Sequence, residues 1–119
     1  MNDKLFRKLW EDALVQPNLE LYIGEYGYPE WYNEIVGRDD EEELSEEELS
    51  EVVRTLTAIH EVAHMSVRDI ISEAGMTLQA FSDRFCIPLR TVERWAAGER
   101  ECSSHQRLGF CRQLHILSF

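Results

Sequence analysis

Cysteine is scarce in this 119-residue chain: there are three, an odd number, with no C-x-x-C pair. That excludes a disulfide scaffold and fits a reducing compartment. No apolar run is long enough to span a bilayer, and the opening MNDKLFRKLWED has no signal-peptide core. A cytoplasmic protein without a membrane partner is therefore expected. Proline occurs only at Pro17, Pro29 and Pro88, each placed to stop or start a helix. Internal repeats are lacking. Positive charge is also in short supply, with 12 Lys+Arg against 23 Asp+Glu and a net charge of −11. The shortfall is uneven. Residues 1–65 hold 5 basic and 17 acidic residues, giving −12, while 66–119 hold 7 arginines and 6 acids, giving +1.

What remains is ample apolar material, 44% of residues, enough for one domain or for a small unit with an appended subdomain. Its spacing is helical. Leu5, Phe6, Leu9, Trp10, Ala13 and Leu14 form a stripe from a cap at Asn2 or Asp3 up to Pro17. Asn18 starts a second segment with Leu19, Tyr22, Ile23 and Tyr26 on one face, ended by Gly27; the alternation Leu19, Leu21, Ile23 would also suit a strand. Pro29 opens a third, carrying Trp31, Tyr32, Ile35 and Val36 and ended by Gly37. The acidic run 38–48 is a solvated hinge. Ser45-x-x-Glu48 is a capping box for the longest helix, with an apolar stripe of Leu49, Val52, Val53, Leu56, Ile59 and Ala63. Ser66-x-x-Asp69 launches another helix bearing Val67, Ile70, Ile71 and Ala74. A last one is expected from Ser103 or Ser104 through Leu108, Phe110 and Leu114. The apolar end Ile116-Leu117-Ser118-Phe119 is expected to dock on the N-terminal helices or on a second protomer.

Between Gly75 and Gly98 the chain reads GMTLQAFSDRFCIPLRTVERWAAG. Thr77 can cap a helix in which Leu78, Phe81, Ser82 and Phe85 recur; Cys86-Ile87 makes a turn, and Pro88 suits the first turn of the next helix. There Val92, Trp95 and Ala96 are expected to face inward and Leu89, Arg90, Glu93 and Arg94 outward. Gly98 closes the helix in a left-handed conformation. Two short helices with a tight turn and outward arginines are what a major-groove reader needs.

These residues resemble the Cro/repressor (XRE-like) helix-turn-helix family, in a small phage or mobile-element variant, over about residues 66–117 and most densely at IPLRTVERWAAGEREC. The resemblance implies DNA contacts at Leu78, Leu89, Arg90, Thr91 and Arg94, with Arg100 and Thr77 on phosphates. The chain departs from the pattern at three places. Leu78 replaces a glutamine, Cys86 a turn glycine, and Ala96 an acid. With a nearly neutral C-terminal half, modest and salt-sensitive DNA affinity is expected unless the protein dimerises.

His60-Glu61-Val62-Ala63-His64 matches the H-E-x-x-H zinc-hydrolase motif, whose histidines share a helix face. A third ligand could come only from His105, His115 or an acid of the following unit, and nothing upstream supplies the active-site strand that such enzymes place beside this helix. His60 and His64 are therefore weak metal candidates, and an enzyme is not expected. Cys102, His105, Cys111 and His115 point in different directions on one helix unless it breaks at Gly109. No cofactor is expected.

Together these readings give an all-α protein: an acidic helical N-terminal segment (1–44), a long connecting helix (45–65) and a helix-turn-helix domain (66–119). The expected function is DNA binding, as a transcriptional regulator or antitoxin, with the acidic half supplying dimerisation or a protein contact. The alternative is an acidic inhibitor of antitoxin or anti-CRISPR type that reuses the fold to hold a basic partner.

Overall fold

The helix starts follow from the capping residues, each spending a side-chain oxygen on an amide that the first turn leaves unpaired. In the computed structural model, which describes residues 1–26, 33–35 and 45–119, Asn2 accepts from the Leu5 amide at 2.8 Å and opens α1, Asp3–Val15. Asn18 accepts from Leu21 and opens α2, Leu19–Glu25. Ser45 and Glu48 form the reciprocal capping box of α3, Glu46–Ala63. Ser66 and Asp69 form another for α4, Val67–Glu73. Thr77 caps α5, Leu78–Phe85, and Ser103 caps α7, Ser104–Gln113. Between them α6, Leu89–Ala96, follows Pro88. Residues 33–35 are also helical, and no strand occurs among the described residues. The fold is all-α.

The chain divides into two compact units, 1–64 and 65–119. In the first, α3 packs against α1 and α2. The helix read from sequence as a connector thus lies within this unit's core, where Val52, Leu56 and Ile59 are fully buried beside Leu9, Ala13 and Tyr22. Burying an aliphatic side chain stabilises by about 1.5–3 kcal/mol, so these few positions carry much of the unit. The Tyr22 hydroxyl donates to the Leu9 carbonyl at 2.8 Å, and the Tyr26 hydroxyl donates to Asp12. Tyr22 and Tyr26 meet edge to face. The Leu19–Leu21–Ile23 alternation is helical, not a strand, and leaves Leu21 60% exposed. Leu49, placed in the apolar stripe by spacing, is 40% exposed because it sits in the first turn of α3. The expected segment from Pro29 to Gly37 lies outside the described residues except at 33–35, where Ile35 is buried.

In the second unit α4 packs against α6 and α7, and α5 against α6. Phe81 is fully buried and contacts Phe85 and Phe110, with Trp95 against Phe110. The apolar tail folds back on its own unit: Leu117 is buried, the Leu117 amide donates to the Cys111 carbonyl, and Arg112 donates to the main-chain oxygen of Phe119. Of the tail, Leu117 is buried, Ile116 half-buried and Phe119 exposed.

Candidate nucleic-acid interface

α5 and α6 are each eight residues long and joined by Cys86, Ile87 and Pro88. Backbone geometry fixes both outer ends. Gly75 has φ +66° and Gly98 has φ +75°. Behind Gly98, the Gly98 amide donates to Trp95 and the Glu99 amide to Arg94, the paired closure that reverses a chain after a helix. Gly75 and Met76 close α4 in the same way, donating to Ser72 and Ile71. At the inner turn Cys86 takes the left-handed conformation, with φ +53° and ψ +42°. The Ser82 hydroxyl, buried, donates to the Ile87 carbonyl at 2.5 Å and pins the turn to α5. That explains a serine at an inward position of the stripe.

Pro88 is the residue before α6 rather than within its first turn, with φ −53° and ψ +132°, and it supplies no side-chain acceptor. Thr91 and Val92 donate to its carbonyl. Val92 is fully buried, whereas Trp95 and Ala96, expected inward, are half-buried. On the outer side Arg90 and Glu93 are exposed, while Leu89, Thr91 and Arg94 are half-buried. Arg90 and Arg94 are one turn apart and so share a face. Arg100 is exposed just after the Gly98 closure. Ion pairs such as Arg7–Glu11 and Lys8–Asp12 lie in α1, and Arg90, Arg94 and Arg100 have no ion-pair partner among the described residues. Thr77 is exposed, but its hydroxyl already accepts from the Ala80 amide at 3.0 Å. Leu78 is half-buried, and beside it Gln79 donates to Asp83 at 2.9 Å.

The two histidines of the H-E-x-x-H motif lie in the first unit and bond to main chain. The Nε2 of His60 is 2.7 Å from the Gln16 carbonyl, and that of His64 is 2.7 Å from the Ala13 carbonyl. A carbonyl only accepts, so each Nε2 carries the proton. These carbonyls belong to the C-terminal end of α1, whose last turn has no basic residue of its own. The histidines thereby complete α1 from a neighbouring helix, at the end where the helix dipole is negative. His60 is 8% exposed and lies against Tyr22, while Glu61 is exposed. This role was not legible in the motif; the missing cation in the last turn of α1 was the available signal. Among the described residues no three His, Cys, Asp or Glu side chains are grouped to hold a metal ion. α7 runs unbroken through Gly109. Cys102 and Cys111 are buried and Cys86 is exposed. Burial pushes the Cys102 thiol up, and the Cys111 thiol up to about 11, against the opposing pull of the Arg107 guanidinium.

No known protein family, no curated protein sequence and no solved structure matches this chain.

Proposed function

We propose that residues 65–119 bind double-stranded DNA through α6, with Arg90 and Arg94 in the major groove and Arg100 on phosphate. The resemblance to the Cro/repressor helix-turn-helix family points the same way, and a regulator or antitoxin of a mobile element is the role this implies. The observation that carries the reading is a cationic face without carboxylate partners among the described residues: Arg90 and Arg100 exposed, Arg94 half-buried on the same helix face as Arg90. Leu89 and Thr91 flank these arginines and offer apolar and hydroxyl contacts to base edges. With a net charge of +1 over residues 66–119, the interaction is modest and salt-sensitive.

Fluorescence anisotropy with a mixed-sequence duplex at low salt tests this. Binding is expected, and Arg90→Ala with Arg94→Ala is expected to weaken it. If both arginines meet phosphate, the slope of log K against log salt falls by about 2; if they meet guanine, the slope holds and sequence preference relaxes. No binding at low salt, or binding indifferent to the double substitution, overturns the proposal.

A second reading is supported by the first unit, whose sequence to residue 65 carries −12. An acidic inhibitor of antitoxin or anti-CRISPR type would present that charge to a basic partner in place of phosphate. Recovery of a basic nuclease or toxin in a pull-down, together with absent DNA binding, would favour it.

A further inference from the structure

In the first unit, α3 buries one side against α1 and α2 and leaves an apolar groove of about 570 Å³ along another. The groove is lined by Leu49, Ser50, Val53, Arg54, Thr57, Ala58 and Glu61. Leu49 is 40% exposed, Val53, Thr57 and Ala58 are half-buried, and Arg54 and Glu61 are exposed. Arg54 is the one lysine or arginine between Arg38 and Arg68, in a stretch where acids dominate. Neither Arg54 nor Glu61 has an ion-pair partner among the described residues. Ser50, Arg54, Thr57 and Glu61 follow one another at intervals of four, three and four, the spacing of a helix–helix seam.

From this arrangement we infer that the groove is a self-association surface, occupied by α3 of a second copy running antiparallel. Crossing at Thr57 and Ala58 sets Arg54 against the partner's Glu61, and Glu61 against the partner's Arg54. The pairing is isologous, as a two-fold axis requires. The small side chains of Ser50, Thr57 and Ala58 let the backbones approach, and Leu49 and Val53 supply apolar area along the flank. Charge selects the orientation, because a parallel pairing in register would oppose like charges at both positions. An 18-residue helix is about 27 Å long, so the contact is small and the dimer is a weak one. This inference does not depend on the nucleic-acid reading.

Sedimentation of the full chain from about 5 to about 500 µM tests it, a range suited to a small interface. The wild type is expected to pass from monomer to dimer. Arg54→Glu alone, or Glu61→Arg alone, sets like charges opposite each other at both crossings and weakens the dimer about tenfold or more. The double variant restores opposite charges and recovers association to within about threefold of wild type. Both sites are exposed, so unchanged helical circular dichroism identifies variants that have kept their fold. The proposal is overturned by a wild type that stays monomeric, by single reversals that associate as well as wild type, or by a folded double variant that fails to recover.

Discussion

Cysteine at position 86 holds a backbone conformation that side chains with a Cβ take at a cost of about 1–2 kcal/mol. Cys86→Gly is expected to raise stability by about 1 kcal/mol, seen as a higher urea midpoint with an unchanged slope. The reverse change at Gly98, φ +75°, follows the same rule. No neighbouring atom lies within 4 Å of a Cβ built there, so Gly98→Ala should cost about 1 kcal/mol from backbone conformation alone. The three thiols should also separate in a labelling experiment. Cys86 is exposed and reacts in the native state, whereas Cys102 and Cys111 are buried and react only on unfolding. Alkali acts through the same buried groups. The Cys111 thiol titrates near 11 in the fold against about 8.5 in an unfolded chain. Between those values the unfolded state has lost a proton that the native state keeps. The stability from this group is therefore complete below about pH 8.5 and disappears as pH rises towards 11. Burial raises the Tyr22 and Tyr26 hydroxyls as well and extends the loss to higher pH. A thermal midpoint that holds steady from pH 8.5 to 11 would contradict this.

For single helices, the terminal residues decide most. Ser45→Ala removes half of a reciprocal cap and should cost about 1 kcal/mol, while Ser50→Ala, on the exposed side of the same helix, should cost little. His60→Ala should cost more, about 2–3 kcal/mol. It leaves the Gln16 carbonyl without its imidazole donor and opens space beside buried Tyr22. Chemical denaturation of the three variants checks the ranking. The helices themselves were legible because caps are local: Asn2, Asn18, Ser45, Ser66, Thr77 and Ser103 each act within three residues, and Gly98 announces its own turn. Partners across the fold were not legible. The spacing of the H-E-x-x-H motif says that two histidines share a face, and nothing in that spacing says the face meets the end of α1. Likewise, helical periodicity placed Leu49 inward because it repeats with Val52 and Val53, although in the fold it is 40% exposed while Val52 is fully buried. Of the candidate contact residues, the outward positions of Arg90 and Glu93 follow from period alone. The half-burial of Leu89, Thr91 and Arg94 depends on how α6 packs against α4 and α5.

At the scale of the molecule, charge is divided along the chain at the same place where the fold divides into two compact units. If α6 binds DNA, the acidic unit opposes it through space. Residues 65–119 produced alone should then bind a duplex more tightly than the full chain at about 0.05 M salt, with the gap closing as screening shortens to a few ångströms near 1 M. The piece has its own core in Ile70, Phe81, Val92 and Cys111, and circular dichroism should show it helical, though less stable than the whole. Equal affinities at low salt would mean that the acidic half is turned away from the duplex. The borrowed histidines have a further consequence for the order in which the first unit assembles. α3 carries its own nucleation signal and eighteen residues, while two carbonyls at the end of α1 take their donors from imidazoles that α3 must already be presenting. In refolding kinetics, then, loss of the Ser45 cap should slow collapse to the native state. Loss of His60 should leave that rate nearly untouched and hasten the escape from it.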